Sequence, residues 1–250
     1  MTRSSNPFVS LILLAMAWPA IGESQEGQWN HTITPYLMAA HLEGSSGIGG
    51  LNADIDMNAS DIFSNLDFGA MLAYRAETED WAVMTDFIYM KLGASQTSAG
   101  ENLRTKVNLE QTIAQLDVAR RLSEHFELTL GARYWDVDTT VQLTGLGPIG
   151  IDVRAQAGDS WIDPVLGLRF TYPFNDTWTL LGKGDIGGFG IGSDFTWHAT
   201  VGLNWATSER ISVTLLYRSI AVDYESGTGA SRFALDITEA GPGMGVSFKF

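Results

Sequence analysis

Residues 195–206 read FTWHATVGLNWA, and this stretch decides the fold. Every odd position is apolar, from Phe195 to Trp205, whereas the even positions are small or polar and include His198. A period of two residues is typical of a β-strand with one apolar face. In a membrane barrel the apolar face meets lipid and the polar face lines the interior.

The same alternation recurs along most of the chain and predicts an all-β protein. In the last of these segments the apolar positions change parity near residues 239–242, which predicts a bulge that accommodates Pro242. We expect about ten strands, at 29–43, 66–77, 81–93, 106–121, 126–142, 160–173, 178–190, 195–206, 211–225 and 233–250.

The connections between these strands are asymmetric. Short polar connections follow every second strand, at 77–80, 123–125, 175–177 and 207–210. Most of the others are long and rich in Gly, Ser and Asn, at 44–65, 94–105, 143–159 and 226–232. This asymmetry predicts a single antiparallel transmembrane β-barrel of about ten strands (eight to twelve), with short periplasmic turns and longer extracellular loops. Aromatic residues beside the short turns predict a periplasmic belt: Trp81, Phe126, Tyr172, Phe174, Trp178 and Trp205.

The N-terminal segment is typical of an export signal. Arg3 precedes an uncharged apolar run from Phe8 to Trp18, and Gly22 closes a small-residue cleavage motif. The run is about 11 residues long, whereas a membrane-spanning helix needs about 20. We therefore expect a signal peptide at 1–22, cleaved near Gly22, and a barrel domain at 23–250 in the outer membrane of a Gram-negative cell.

Composition excludes several functions. The 15 basic and 29 acidic residues give a formal net charge of -14, which disfavours nucleic acid as a partner. The sequence has no cysteine, which removes thiol catalysis and Cys-ligated zinc. The carboxylates of Asp54, Asp56 and Asp61 lack the spacing of a calcium loop. We expect neither a metal nor a cofactor.

Three stretches resemble known proteins. Residues 246–250, VSFKF, resemble the terminal strand of bacterial outer-membrane proteins, whose final aromatic is read by the barrel-assembly machinery. The resemblance implies that Phe248 and Phe250 form the assembly signal. Residues 182–190 and 160–164 resemble an uncharacterised group of OmpA/OmpW-like barrels, which implies a fold and a location but no substrate.

Ionisable side chains on the polar faces predict a charged interior. The candidate lumen-lining residues are Asp163, Arg169, Lys183, Asp185, His198 and Arg218. The first four lie on two adjacent strands and are expected to form one cluster. Because both signs are present and an unpaired charge is costly in a tight interior, a salt-bridge network that fills the lumen is favoured over an open pore.

The predicted function is therefore that of an outer-membrane barrel, either structural or a passive small-solute channel with a charged lumen. Its expected partners are outer-membrane lipid, the assembly machinery and a small solute of unknown identity.

Two other functions remain as alternatives. A soluble periplasmic ligand-binding barrel would bury Trp197, Val201 and Leu203 and expose His198. An outer-membrane lipid or peptide hydrolase needs a histidine near a serine, or an Asp/His pair at the outer rim. The nearest match is 198–200, His-Ala-Thr, with threonine where a serine is expected. We therefore expect no enzymatic activity.

Overall fold

The computed structural model describes residues 29–48, 51–97, 103–145 and 152–250; the predicted signal peptide lies outside them. No helix among these residues is long and apolar enough to span a membrane. A short helix α1 (Ala59–Asn65) and a 3-10 turn (Gly229–Ser231) accompany the strands. The strands are β1 Asn30–Met38, β2 His41–Ile48, β3 Leu51–Met57, β4 Leu66–Glu77, β5 Trp81–Thr97, β6 Leu103–Arg121, β7 Phe126–Gly145, β8 Asp152–Pro173, β9 Trp178–Gly188, β10 Phe195–Ala206, β11 Ile211–Ser226 and β12 Phe233–Lys249.

Ten of these strands close into an antiparallel barrel, which confirms the predicted fold class. Strands β4 to β12 pair in chain order, and β1 pairs with both β4 and β12 to complete the ring. β1 and β2 follow β12 in one continuous register, from Thr32 opposite Lys249 to Ile48 opposite Phe233. The predicted first strand therefore corresponds to β1 and the start of β2.

The first predicted loop, 44–65, is more ordered than the sequence indicates. β3 pairs with β2 as a hairpin, and α1 follows it. Asn58 caps the helix: its side chain accepts hydrogen bonds from the backbone N of Ser60 and Asp61, while the Asp61 carboxylate accepts one from the Asn58 backbone N. The prediction missed the hairpin because its Gly- and Ser-rich segment shows little apolar alternation.

Four strands also extend further from the short turns than predicted, since β5 and β7 end later and β6 and β8 begin earlier. In the extension of β8, Asp152, Arg154 and Gln156 are exposed. This segment lacks the apolar outward face by which a sequence marks a membrane-spanning strand.

The outward surface of the barrel is apolar along its short-turn half, as a transmembrane barrel requires. Leu130, Val201 and Met244 are more than half exposed, whereas His198 is buried. This orientation of β10 contradicts the inverted faces that a soluble binding barrel would have. The expected aromatics are exposed at the short-turn end: Trp81, Phe126, Tyr172, Phe174, Trp178 and Trp205.

The interior consists of two halves with opposite chemistry. Towards the long loops the inward side chains form an apolar core, and towards the short turns they are polar or charged.

β12 runs through both halves with unbroken register against β11, so the predicted bulge near Pro242 is wrong. The apolar positions change parity because Phe233, Leu235 and Ile237 point into the apolar half, while Met244 and Phe248 point outward.

Candidate functional site

The middle of the interior is built around a buried arginine on β7. Arg133 has no exposed surface. Its Nε and Nη2 donate to Gln115 Oε1 at 3.0 and 2.8 Å, and its Nη1 donates to Thr196 Oγ1 at 2.9 Å. Nη2 also forms an ion pair with Asp185 on β9. The guanidinium is therefore held by three other strands, which fixes it across the lumen.

Asp185 receives further donors, so its charge is shared. The side-chain amide of Gln115 donates to its carboxylate at 3.2 Å, and His198 Nδ1 lies at 3.2 Å. Lys183 Nζ lies 3.6 Å from Asp185 and donates to Asp117 at 2.5 Å. Buried ion pairs persist where hydrogen bonds satisfy the remaining polar atoms, as they do here.

A second buried group links β1, β5 and β11. Arg218 Nη1 donates to Asp86 at 3.0 Å and to the hydroxyl of Tyr36 at 2.8 Å, and that hydroxyl donates to Asp86 at 2.8 Å. Closer to the apolar half, the side-chain amide of Gln111 donates to Glu239. Together these contacts tie the first, middle and last strands of the ring.

A cavity of about 540 Å³ occupies the short-turn half. Arg121 and His125 line it near the turns, and Lys183 and His198 line it near the buried network. Between them, Glu127 accepts hydrogen bonds from Arg75 at 2.7 and 3.1 Å and from Arg169 at 3.1 Å. The cavity is thus polar, with cations and carboxylates paired along its wall.

An apolar layer separates this cavity from the long-loop end. Trp161 stacks on Tyr224 with ring centroids 3.7 Å apart, and Trp135 stacks on Trp161 at 5.9 Å. Trp135 is 0% exposed and Ile220 is 1% exposed, although both point into the barrel. Surfaces lining a water-wide passage would be accessible, so the layer closes the described interior.

The predicted lumen candidates all point inward but are divided among several groups. Lys183 and Asp185 lie together in the buried network, whereas Arg169 binds Glu127 nearer the short turns. Asp163 lies elsewhere, because it accepts hydrogen bonds from the backbone N and Oγ of Ser193 at 2.6 and 2.9 Å and anchors the β9–β10 turn. Three of the four residues expected in one cluster therefore lie side by side, since Arg169 is opposite Lys183 in the β8–β9 ladder, and Asp163 is the one that lies apart.

Several interior residues were not among the predicted candidates: Tyr36, Gln111, Gln115, Glu127 and Glu239. Glu127 shares the inward parity of Arg133, so counting along β7 would have found it. Gln115 lies in a strand whose alternation is weak, and its position as the hydrogen-bond partner of Arg133 depends on the register of β6 against β7.

The chain end is held at the short-turn side. Phe250 and His31 exchange backbone hydrogen bonds of 3.0 and 3.1 Å, and their rings stack at 5.6 Å. Phe248 lies on the outward face and is 41% exposed, and Phe250 is 70% exposed. Their role as an assembly signal stays a prediction.

Two histidines are close to carboxylates. His198 lies between Asp185, at 3.2 Å from Nδ1, and the Thr200 hydroxyl, at 2.7 Å from Nε2. This order of carboxylate, imidazole and hydroxyl resembles an activated nucleophile. His41, on the hairpin, lies 3.6 Å from both Glu43 and Asp56. Within the described ranges, no group of three or more possible metal ligands occurs.

Comparison with known proteins identifies the class of fold. No family model and no curated protein matches the sequence. Among solved structures, the outer membrane protease OmpT from Escherichia coli is similar with a TM-score of 0.59 at 9% identity, over 91% of this chain and 99% of that one. Ail, the attachment invasion locus protein of Yersinia pestis, matches with a TM-score of 0.38 at 12% identity, over 90% and 100% of the two chains. The protein has the fold of an outer-membrane β-barrel.

Proposed function

We propose that this protein is an outer-membrane barrel with a closed interior and a structural role. The observation that carries the proposal is the apolar layer around Trp135 and Trp161, which fills the lumen between the charged cavity and the long-loop end. The exposed apolar belt, its flanking aromatics and the likeness of fold support a location in the outer membrane.

The same proposal includes the finer expectations from the sequence. Outer-membrane lipid surrounds the belt, and the assembly machinery reads Phe248 and Phe250 during biogenesis. The resemblance of 182–190 and 160–164 supports a place among OmpA/OmpW-like barrels. Nucleic acid is not a partner, because the net charge is -14.

A passive small-solute channel is the second candidate, and the 540 Å³ cavity favours it. A cavity of this size accommodates a small polar molecule. Transport would also require the apolar layer to open, because the cavity ends at it.

Fractionation and conductance test both candidates. Cells expressing the full chain are fractionated, the outer-membrane fraction is run on a gel with and without boiling, and purified protein is placed in planar bilayers. We expect a heat-dependent shift in that fraction and no conductance. Steady conductance would instead support the channel, and recovery from the soluble periplasm without a shift would contradict both.

A matched variant shows that the conductance assay can detect an opened lumen. Replacing Trp135 and Trp161 together by alanine removes the stacked rings of the apolar layer. We expect this variant to conduct if it still shifts on heating. Absence of conductance in a variant that still shows the gel shift would mean that further interior residues also close the barrel.

We further propose that the protein is not an enzyme. The fold is shared with a structure described as an outer membrane protease, but at 9% identity. The carboxylate of Asp185 is already bound by Arg133, Gln115 and Lys183, which supports a structural role for His198 and Thr200 beside it.

A further inference from the structure

The wall of the charged cavity is more basic than the chain as a whole. The chain has 15 basic and 29 acidic residues, whereas the cavity is lined by six cationic side chains and four carboxylates. The cationic side chains are Arg75, Arg121, Arg169, Lys183, Arg218 and Lys249. Cations gathered in a cleft of an acidic protein produce a local potential that attracts anions.

Four of these cations follow one row across neighbouring strands. Arg121 on β6 and Arg169 on β8 both lie opposite Glu127 on β7. Arg169 is in turn opposite Lys183 on β9, and the row reaches Arg218 on β11 two strands further on. Because barrel strands are tilted, such a row climbs from the short turns towards the buried network. Cations therefore line the cavity from its mouth to its inner end.

Two cations lie directly side by side in this row. Arg169 and Lys183 are paired in the β8–β9 ladder and both line the cavity. Side chains that are paired in this way start about 5 Å apart, and like charges at that separation repel each other. Glu127 accepts from Arg169 at 3.1 Å and Asp117 accepts from Lys183 at 2.5 Å, so each cation has its own carboxylate. An anion between the two cations would relieve their repulsion.

Arg169 has hydrogen-bond donors to spare. It donates to Glu127 from Nη1, and its Nε and Nη2 have no acceptor among the residues that the structure describes. Its side chain is 20% exposed, and the surface that it exposes faces the cavity. A guanidinium binds a carboxylate or a phosphate through two parallel N–H bonds, and these two nitrogens can provide them.

Two buried polar atoms near Arg169 lack a partner. In the described part of the chain, Thr171 Oγ1 and His125 Nδ1 have no hydrogen-bond partner. Both residues line the cavity, and the Thr171 backbone N donates to the His125 carbonyl at 2.9 Å, so the two are neighbours. Buried polar atoms are normally satisfied, and an exception points to a bound water, ion or ligand.

We propose that the cavity is a binding site for a small oxyanion, with its carboxylate or phosphate group between Arg169 and Lys183. The oxyanion enters from the short-turn end, where Glu124 and Lys249 line the cavity and are exposed. The site rests on the proposed closed interior, because the apolar layer ends the cavity on its other side. The volume of about 540 Å³ is that of a site for a small molecule.

The rest of the wall suits the polar body of such a molecule. Strands β1, β11 and β12 contribute hydroxyl groups without adding charge, from Thr32, Thr34, Ser212, Thr214 and Ser247. Hydroxyls both donate and accept hydrogen bonds, so this side of the cavity can bind polar groups of different kinds. The charge of the ligand is recognised on β8 and β9.

Titration calorimetry on the full-chain protein, purified from the outer membrane in an uncharged detergent, tests the proposal. Inorganic phosphate and citrate are the two oxyanion probes, and glucose is the neutral control. We expect at least one anion to bind about tenfold more tightly than glucose. Binding of citrate alone would identify a carboxylate site, and binding of phosphate alone a phosphate site. Failure of both anions to bind, or equal binding of glucose, would overturn the proposal.

Two arginine variants locate the binding. Arg169→Gln removes the free donors and should weaken anion binding about tenfold. Arg120→Gln is the matched control, because Arg120 lies on the outer face of β6 against Trp81 and pairs there with Asp80. It changes the net charge equally and should leave binding unchanged. Equal weakening in both variants would show a general charge effect and contradict the site.

A third variant should act in the opposite direction. Glu127→Gln removes the carboxylate that competes for Arg75 and Arg169, so it should tighten anion binding about threefold or more. Damage to the cavity wall would instead weaken binding. Weaker binding in Glu127→Gln that keeps the heat-dependent gel shift would therefore overturn the proposal.

Cysteine protection tests the position without changing any charged residue, since the natural sequence has no cysteine. Ala73 lines the cavity, whereas Glu209 is exposed in the β10–β11 turn. A saturating anion should slow the reaction of Ala73→Cys with a negatively charged thiosulfonate about tenfold and leave Glu209→Cys unaffected. Unchanged reaction of Ala73→Cys would place the anion outside the cavity and overturn the proposal.

Conductance in planar bilayers separates this proposal from the closed interior. A protein that binds the anion and also conducts would contradict the closed interior and leave the oxyanion site supported. A protein that shows the gel shift and does not conduct, but binds neither anion, would contradict the oxyanion site alone.

Discussion

In the short-turn half of the barrel the strands close around arginine, aspartate and lysine, while in the long-loop half the same strands close around tryptophan, isoleucine and leucine. β7 shows the change within a few residues. Arg133 is inside and Leu130 outside in the first half, whereas Trp135 is inside and Asp138 outside in the second. Along β7 the inward residues change from charged to apolar, whereas the outward residues change from apolar to charged.

This reversal follows from the solvent around each half. Where the proposed bilayer surrounds the wall, outward residues must be apolar, so the inward positions hold the polar residues. Where water surrounds it, the polar residues turn outward and the barrel needs an apolar core like that of a soluble protein. β11 shows the same reversal, since Leu215 is outside and Thr214 inside, whereas Glu225 is outside and Val222 inside.

The largest effect is expected in the charged half. Asp185→Ala leaves the fully buried guanidinium of Arg133 without its ion pair, which should lower the free energy of unfolding by about 3–5 kcal/mol. Denaturant unfolding of the reconstituted protein measures this change. Glu225→Ala, which removes the exposed pair with Arg232, is the control and should have no measurable effect. Similar small losses for both variants would show that the interior charges are solvated.

A somewhat smaller effect is expected in the apolar half. Ile113 is 2% exposed, so Ile113→Ala should cost about 2–5 kcal/mol and Ile113→Val about 0.5–1.5 kcal/mol in the same unfolding measurement. This grading with side-chain size is the mark of close packing. If the two variants cost the same small amount, the apolar half is loosely filled and the comparison between the halves fails.

A third change weakens the wall of the charged cavity. Glu127→Gln keeps the size of the side chain but removes the charge that binds Arg75 and Arg169, and should cost about 1.5–3 kcal/mol of unfolding free energy. The loss should be smaller than for Asp185→Ala, because these cations face the cavity. A larger loss than for Asp185→Ala would place the principal electrostatic support at the cavity rather than in the buried network.

The smallest expected effect concerns the chemical reactivity of the Thr200 hydroxyl. If Thr200 only bonds His198 within the network, a fluorophosphonate probe should not label the protein, and Thr200→Ser should not make it reactive. Mass spectrometry of the treated protein measures the adduct. An adduct that appears on Thr200 and disappears in His198→Gln would identify a nucleophilic site and contradict the non-enzymatic proposal.

Sequence reasoning succeeded where one periodic pattern dictates one environment. The alternation from Phe195 to Trp205 predicted the strand and its orientation, and the short polar turns predicted antiparallel pairing. It failed at the β2–β3 hairpin, where apolar alternation is weak, and at β12, where the apolar residues change from the outward to the inward face. A sequence does not show whether lipid or water surrounds a strand. The exchange of apolar residues between the outward and inward faces of β12 therefore predicted a bulge.

The predicted candidate site shows the same limit. Parity placed Asp163, Arg169, Lys183 and Asp185 on inward faces, because side-chain direction alternates strictly along a strand. Alternation along a strand does not show how far along the barrel axis a side chain lies. That position depends on the stagger between strands, which places Asp163 beside Ser193 and away from the other three residues.

The amino-acid sequence by itself determined an all-β barrel of about ten strands with an apolar exterior, because each residue's side of the wall follows from local alternation. Only the tertiary structure decided which charges meet and where the lumen closes. Those features depend on register between strands that are distant in sequence, as when Arg218 meets Asp86 and Tyr36 across the barrel. Register and stagger are set by the closure of the whole ring, which no single segment specifies.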